Sequence, residues 1–226
     1  MSNDIQQSVE SVMNTYKHRD VTPEEVAKCL AIEEQEARLR LVRRTAELRV
    51  KWNAPKRHTA AVSIDRLGAW GDAELRLKAR LSKGFLVALI GGRGSGKTQL
   101  AVELMKEATN RQQTALYATA AEFFIGIKTT YRKDSKESEG DVIARFRKPS
   151  ILVLDEFGRR AESDWENNLL FELLDKRYAD LHNTIILSNH SKEELIASIG
   201  ASLASRMQET GGIIECNWPS WREQAE

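Results

Sequence analysis

The sequence predicts an α/β fold, a parallel sheet of five strands with helices on both faces, preceded by a small helical N-terminal domain. Short apolar runs alternate with segments of helical periodicity after residue 64, which is typical of a parallel sheet covered on both sides. A glycine-rich turn joins the first apolar run to a helical segment, and serine or threonine paired with glutamate three residues later begins three further helices. Before residue 64 the pattern is helical alone.

Residues 1–55 are predicted to form the helical N-terminal domain. A short helix is expected around residues 5–16, and a long helix begins at Thr22, where a capping threonine is followed by proline and then by Glu25 at the third helical position. Acidic residues crowd the start of the long helix and basic residues its second half, which suits either the helix dipole or a basic surface for a partner or DNA. Two helices bury little surface, so this domain is expected to dock on a partner.

The remainder is predicted to consist of a linker at residues 56–63 and the α/β domain at residues 64–226. A charged stretch, residues 132–140, is expected to be a mobile surface loop. Capping pairs predict helices that begin after Thr119, Ser163 and Ser191. Apolar runs predict strands at residues 85–90, 114–118, 150–154, 184–188 and 212–217.

Composition limits the classes of function. The 226 residues carry a formal net charge of +1, which argues against a generally basic nucleic-acid coat, so any contact with DNA must be local. Cys29 and Cys216 have no metal-ligand spacing and indicate a reducing compartment. No signal peptide and no apolar run of membrane-spanning length are found, so we expect a cytoplasmic protein without a membrane partner.

The glycine-rich turn fits the phosphate-binding pattern G-x-x-x-x-G-K-[ST], in its required place between a buried strand and a helix. Its glycines let backbone N–H groups and the helix N-terminus approach a polyphosphate. Lys97 would bridge the β- and γ-phosphates of ATP, and the Thr98 hydroxyl would bind Mg²⁺. The candidate nucleotide-binding residues are Gly91, Gly92, Arg93, Gly94, Ser95, Gly96, Lys97, Thr98 and Gln99.

The apolar run 151–154 ends in two acids, Asp155 and Glu156. In an open α/β sheet, ligands gather at the carboxyl ends of the strands. We therefore expect Asp155 to hold Mg²⁺ through its water shell and Glu156 to orient and deprotonate the attacking water.

Two more residues are candidates for the reaction. Asn189 follows the strand at 184–188 and could lie beside the γ-phosphate; the alternative is a turn residue that caps the next helix. Arg206 follows far along the chain in Ser205-Arg206-Met207. Supplied by a neighbouring subunit, its guanidinium would stabilise the charge that develops in phosphoryl transfer; the alternative is an ordinary surface arginine.

Together these motifs resemble the AAA+ ATPases of the DnaC/IstB type, in order and in spacing. The resemblance covers about residues 64–222 and is nearest to bacterial replicative helicase loaders, because of the segment Thr119-Ala120-Ala121-Glu122-Phe123-Phe124 and the ending Asn217-Trp218-Pro219-Ser220-Trp221-Arg222.

The resemblance implies an ATPase that converts ATP and water to ADP and phosphate, with an arginine finger from a neighbour. It also implies that residues 1–55 grip a hexameric replicative helicase, that the ATPase domains self-associate, and that single-stranded DNA binds inside the assembly during replication initiation. Only about twenty residues follow Arg206, so no C-terminal lid domain is expected.

A single-stranded DNA path can also be argued from residue chemistry, because aromatic rings interleaved with cations offer stacking faces for bases and partners for phosphates. The alternative is that Tyr131 and Trp165 are ordinary packing residues. The candidate DNA-binding residues are Lys128, Tyr131, Arg132, Lys133, Ser163 and Trp165.

Three other functions remain open. One is a transposition helper ATPase that delivers target DNA to a transposase, as in the IstB branch of the same family. A second is a small-molecule phosphoryl transferase, although such kinases rarely end this strand in Asp-Glu. A third is an adaptor that binds ATP without hydrolysing it.

Overall fold

The computed structural model describes residues 22–59 and 68–218, which divide into two compact units, Met1–Glu47 and Leu48–Glu226. The short helix predicted around residues 5–16 lies outside the described residues, as do the last residues of the chain from 219 onward. The helices, in chain order, are α1 (Pro23–Val50), α2 (Lys56–Thr59), α3 (Ala69–Arg80), α4 (Lys97–Asn110), α5 (Ala120–Thr130), α6 (Glu139–Arg147), α7 (Asp164–Ala179) and α8 (Lys192–Thr210). The strands are β1 (Leu86–Ile90), β2 (Ala115–Thr119), β3 (Ile151–Asp155), β4 (Asn183–Ser188) and β5 (Gly212–Glu215).

The described part of the first unit is most of helix α1, which begins as the sequence predicts. The Glu25 backbone N–H donates to Thr22 Oγ1 at 3.3 Å, and Glu25 Oε2 accepts from the Thr22 backbone N–H at 3.0 Å. The two bonds satisfy donors that the first helical turn leaves free. Several large apolar side chains of this helix, Ile32, Leu39, Leu41 and Val42, are about half exposed. In the described part of the chain, no helix combines the length and the apolar character needed to cross a bilayer.

The second unit is built on the predicted five-stranded parallel sheet, with strand order β2-β3-β4-β1-β5. Each predicted strand is present and shifted by no more than two residues at either end. β1 lies between β4, the central strand, and the edge strand β5, so the turn after β1 opens beside the carboxyl end of the central strand.

Helices cover both faces of the sheet, as the sequence predicts. Side chains of β1 alternate between two apolar clusters: Leu86, Ala88 and Ile90 belong to one, and Val87 and Leu89 to the other. The first cluster is completed by helices α5 to α8, and the second by α3, α4 and Trp52. Every residue of β1 is at most 2% exposed, which explains why its sequence is a continuous apolar run rather than an alternating one.

Within the predicted linker at residues 56–63, residues 56–59 form the short helix α2. His58 Nδ1 lies 3.1 Å from Gln99 Oε1, so this turn is tied to the beginning of α4. Trp52, assigned by sequence to the N-terminal domain, is 3% exposed within the second unit, and its carbonyl accepts a hydrogen bond from the Tyr117 N–H. A local sequence pattern does not reveal the contact of His58 with Gln99, because the two are 41 residues apart in the chain. Residues 60–63 lie outside the described residues.

Two predicted local features also differ. Helix α6 begins inside the charged stretch 132–140, because Ser138 and Asp141 form a capping box. At α7 only half of the expected box forms: Ser163 accepts from the Glu166 N–H, but the Glu166 carboxylate accepts from the Glu162 N–H rather than from Ser163.

Candidate functional site

A cleft of about 770 Å³ opens at the carboxyl edge of the sheet, where β1, β3 and β4 end. Its volume lies in the range of small-molecule sites. The parallel register brings together segments distant in sequence, since Ile90 pairs with Ser188 and Leu154 pairs with Ile186. The cleft is lined by Arg57, His58, Arg93, Gly94, Ser95, Gly96, Lys97, Thr98, Gln99, Asp155, Glu156, Gly158, Arg159, Leu187, Ser188, Asn189 and His190.

The glycine-rich turn, residues 91–98, leads from β1 into the N-terminus of α4. Gly91 has φ +134°, and a Cβ atom there would lie 2.9 Å from the Cys216 carbonyl oxygen. Gly96 is the residue that caps α4 and has φ 76°, a left-handed conformation that glycine adopts without strain. The first turn of α4 leaves N–H groups free beside the cleft, the arrangement that binds anions at helix N-termini.

Lys97 is the buried cation of the turn and is only 9% exposed, whereas Arg93 of the same turn is exposed. Its Nζ donates to the carbonyl oxygens of Gly91 and Gly92, both at 2.7 Å, and lies 3.3 Å from Ser95 Oγ. Burial lowers the pKa of Lys97, an effect opposed by the nearby Cys216 and Asp155. Among the described residues, Lys97 Nζ is bonded to carbonyl oxygens and forms no salt bridge. An anionic ligand in the cleft would therefore give it a direct counter-charge.

Thr98 and Asp155 offer oxygen ligands suited to Mg²⁺. Thr98 Oγ1 lies 3.3 Å from Asp155 Oδ2, although the two residues come from different elements, α4 and β3. Among the described residues there is no group of three or more side chains from His, Cys, Asp and Glu that could hold a metal. Two protein oxygens fit Mg²⁺ all the same, because this ion commonly takes few protein ligands and completes its shell with waters and substrate phosphates.

Tyr117 of β2 orients Asp155 and was not found by sequence reasoning. Its hydroxyl donates to Asp155 Oδ2, and the ring is 6% exposed. Burial, together with the bond to Asp155, raises the pKa of Tyr117, so the hydroxyl remains a donor at neutral pH. No local signal identifies it, because the contact depends on the pairing of β2 with β3 that brings Thr119 opposite Asp155.

Glu156 follows Asp155 in a left-handed conformation, with φ 52° and ψ 36°. Such a conformation costs a residue other than glycine about 1 kcal/mol, and residues strained in this way cluster at functional sites. The Glu156 carboxylate lines the cleft and accepts from Arg159 Nη1 at 2.9 Å. Its side chain is 47% exposed, so water has access to it.

Asn189 lines the same cleft, directly after β4. The loop that carries it is held against the segment after Glu156, because a Cβ atom at Gly158 would lie 2.5 Å from His190 Nε2. The backbone N–H of His190 donates to Ser188 Oγ at 3.1 Å. The residue proposed to sense the nucleotide and the residue proposed to activate water thus lie on two loops in van der Waals contact.

Arg206 does not line the cleft of its own chain. It lies on α8 beyond Gly200, where the helix is bent by non-helical backbone angles. Arg206 Nη2 pairs with Asp175 Oδ1 at 2.6 Å, and the guanidinium stacks near Phe171 and Tyr178. The guanidinium is therefore held on the flank of α7, with a side-chain exposure of 27%.

The candidate DNA-binding residues fall partly into one group. Lys128 Nζ lies 5.2 Å from the centroid of the Trp165 ring, and Tyr131 at the end of α5 is 59% exposed. Arg132 and Lys133 follow and are also exposed. Trp165 also packs against Phe124, with ring centroids 5.9 Å apart, so it is a packing residue and carries a cation on its face. The Ser163 hydroxyl caps α7 by accepting from the Glu166 N–H.

The cleft is also lined by four residues with arginine or histidine side chains that the sequence did not single out: Arg57, His58, Arg159 and His190. Arg57 and His58 were assigned to a linker. Arg159 lies three residues after Glu156, and His190 lies one residue after Asn189. Their positions next to these motifs could have identified them, but the sequence indicated no chemical role for either side chain.

The parallel sheet, the phosphate-binding turn and the acidic strand end define a P-loop nucleotide-binding domain of the AAA+ type. A model of the family described as IstB-like ATP binding protein matches residues 73–222. The chain belongs to this family.

Among curated relatives, the replicative helicase loader DnaC of Escherichia coli K12 is 29% identical over 135 residues, which cover 59% of this chain and 55% of the relative. The uncharacterised protein YdaV of the same organism is also 29% identical, over 60% of this chain and 54% of the relative. This chain thus spans little more than half the length of the curated relatives it matches.

Solved structures have the same fold. A crystal structure of the DnaC helicase loader matches with a TM-score of 0.58 at 20% identity, over 71% of this chain and 99% of that one. A crystal structure of DnaI matches with a TM-score of 0.59 at 19% identity, over 75% of this chain and 95% of that one.

Tyr117→Phe tests whether Asp155 binds Mg²⁺ and whether the Tyr117 hydroxyl of β2 orients it for that role. We expect the Mg²⁺ concentration needed for half-maximal ATP binding to rise about tenfold, because loss of a bond that orients a metal ligand typically costs ten- to a hundredfold in affinity. Tyr178→Phe is the control, since its hydroxyl donates to Glu209 at 2.7 Å on exposed surface. Magnesium titrations followed by calorimetry provide the measurement. An unchanged magnesium requirement in Tyr117→Phe would remove this role.

Proposed function

We propose that this protein is an ATP-dependent helicase loader, which binds a replicative helicase and single-stranded DNA and uses ATP binding and hydrolysis as a switch. The observation that carries the proposal is the convergence of Lys97, Thr98, Asp155, Glu156 and Asn189 on one cleft of an IstB-like domain. Family membership supports ATP as the ligand, and the name of the DnaC relatives supports the loading role.

Each residue has a chemical task in this proposal. The loop amides and Lys97 would bind the β- and γ-phosphates, and Thr98 with Asp155 would hold Mg²⁺, which neutralises phosphate charge. Glu156 would orient a water for in-line attack and accept its proton. Asn189 would sense the γ-phosphate and transmit its presence through the contact between the His190 loop and Gly158.

Arg206 is proposed to act in the site of a neighbouring subunit. Two observations favour this over a role in its own site: it is absent from the residues lining its own cleft, and its guanidinium is held by Asp175 on the flank of α7. An arginine fixed on an outer helix is preorganised to enter an adjacent site, where it can accelerate hydrolysis by several powers of ten. A partly exposed pair with Asp175 is weak enough to be exchanged for phosphate.

Mixing two inactive variants tests the arginine in trans. Glu156→Gln keeps Arg206 but lacks the base, and Arg206→Ala keeps an intact site but lacks the finger. Equal mixing should restore about a quarter of the wild-type ATPase rate, because one interface in four then combines an intact site with an arginine.

The matched control is a mixture of Glu156→Gln with Lys97→Ala, in which no interface contains an intact site. This mixture should stay inactive. If the Glu156→Gln and Arg206→Ala mixture also stays inactive while both variants still bind ATP, Arg206 does not act between subunits.

The helicase contact is proposed to lie in the first unit, Met1–Glu47. The matched family region begins only at residue 73, and α1 exposes apolar side chains over the length that precedes it. A helix with about half-exposed leucine, isoleucine and valine is suited to packing against helices of another protein.

Removal of residues 1–47 tests this contact. The fragment 48–226 contains both apolar clusters and should bind ATP as the full chain does, but it should fail to retain the host replicative helicase in co-purification. Retention of the helicase by the fragment would exclude the first unit as the contact.

Single-stranded DNA is proposed to bind beside Lys128, Tyr131 and Trp165. The indole carries the Lys128 ammonium over one face, and the exposed Tyr131 directly follows the helix that bears Lys128, an arrangement suited to stacked bases between phosphates. Arg132 and Lys133 would contact the phosphates.

The double variant Lys128→Gln, Tyr131→Ala tests this path and keeps both Trp165 and Phe124, whose rings pack together. We expect affinity for an oligo-dT strand to fall at least tenfold, because one stacking contact alone is worth about 1–3 kcal/mol. Ile125→Ala, an exposed apolar change on the same helix, should leave DNA affinity unchanged. Fluorescence anisotropy gives both affinities, and an unaltered value for the double variant would refute the path.

The second candidate is a transposition helper ATPase. It is favoured by the description of the matched family, which is named for its IstB-like members. The two functions share the ATP site and differ in the partner, so recovery of a transposase rather than a helicase in the co-purification would select this candidate.

A further inference from the structure

The indole N–H of Trp218 donates a hydrogen bond to the carbonyl oxygen of Ser95, inside the phosphate-binding turn and 123 residues earlier in the chain. We propose that Trp218 is a positioning residue, which fixes the Ser95–Gly96 peptide so that the Gly96 N–H faces a bound phosphate. The inference rests on the nucleotide site proposed above. Trp218 itself is part-buried and packs against the apolar cluster that contains Trp52.

The geometry of a peptide unit gives this contact its effect. The described peptide bonds include no cis bond, and in a planar trans peptide the C=O of one residue and the N–H of the next point in opposite directions. When the Ser95 carbonyl is turned toward the indole, the Gly96 N–H is turned away from it. Gly96 lines the cleft and begins α4, so the orientation of its N–H is part of the anion site.

The backbone before Trp218 is itself fixed against the turn. The Cys216 N–H donates to the Ile90 carbonyl oxygen at 2.7 Å, which extends the pairing of β5 with β1 beyond the last strand residue. The Cys216 carbonyl oxygen lies only 2.9 Å from the position that a Cβ atom on Gly91 would take. The segment 216–218 therefore crosses the base of the turn, and the position of the indole is set by backbone contacts.

The turn needs a contact that survives nucleotide binding. Lys97 Nζ donates to the Gly91 and Gly92 carbonyl oxygens, and a phosphate would draw this ammonium away from them. A bound phosphate would not compete for the Trp218 hydrogen bond, because the Ser95 carbonyl oxygen that accepts it is turned away from the anion site. This hydrogen bond keeps one peptide of the turn in place and thereby lowers the ordering cost of binding.

Trp218→Phe removes the donor and keeps an aromatic ring. We expect the Kd for ADP with Mg²⁺, measured by calorimetry, to rise about three- to tenfold, the range for one lost hydrogen bond. The amide resonance of Gly96 should shift in the variant even before nucleotide is added. Trp218→His returns a ring N–H at the corresponding ring position and should recover part of the affinity.

The matched control is Trp52→Phe. Trp52 belongs to the same apolar cluster and is 3% exposed, but its indole N–H has no hydrogen-bond partner among the described residues. This change should lower the urea midpoint and leave the Kd for ADP unchanged, whereas Trp218→Phe should do the reverse. A purely structural Trp218 would behave like Trp52.

The outcomes separate this inference from the function it rests on. Should the wild-type chain bind no nucleotide, the proposed function fails, and the Gly96 resonance of Trp218→Phe still reports whether the indole orients the peptide. Should the wild type bind while Trp218→Phe shows the same Kd and the same Gly96 resonance, the positioning role is overturned.

Discussion

The parallel pairing of β1 with β4, and of β4 with β3, is the constraint on which the rest of the structure depends. It fixes three carboxyl strand ends at one edge, and the phosphate-binding turn, Asp155 with Glu156, and Asn189 are therefore neighbours. Continuous apolar strands stabilise this arrangement, since β1 and most of β3 and β4 are buried on both faces. The polar groups of the site thus stand at the boundary between a closely packed core and an open cleft.

Each charged side chain to which we assign a chemical task in the site is bonded to other groups of the protein. Lys97 is occupied with carbonyl oxygens of its own turn, Asp155 with Tyr117 and Thr98, and Glu156 with Arg159. Burial lowers the pKa of Lys97, which makes an anionic ligand the more favourable counter-charge. Each of these bonds can be exchanged for a bond to phosphate, metal or water, and that exchange is the physical basis of the proposed switch.

Sequence predicted the strands and the turn well because these depend on local patterns. The strand at 85–90 is a run of apolar residues that must be buried, and Gly91–Thr98 has few other uses in that position. Helix α3 was missed although Trp70, Ala73 and Leu77 are buried at helical spacing, because the segment follows residues with no clear boundary signal. Helix α6 was missed because a charged stretch conceals the cap at Ser138.

The site residues that the sequence did not reveal are those whose side-chain contacts depend on which strands are neighbours in the sheet. Tyr117 reaches Asp155 only through the register of β2 with β3, and Trp218 reaches Ser95 only because β5 lies beside β1. The five-strand sheet was predicted, but its order was not, and side-chain contacts between strands depend on the order. Motifs in the sequence therefore predict the residues that we expect to contact a ligand. The residues that position them can be recognised only from the three-dimensional fold.

Calorimetric titration of the wild-type chain and of Lys97→Ala with ATP and Mg²⁺ tests the central claim most directly. We expect a single saturable heat for the wild type and an affinity at least about tenfold weaker for Lys97→Ala, because a hydrogen bond to a charged group contributes about 1.5–3 kcal/mol. An absence of heat from the wild type, or equal affinity in the variant, would contradict it.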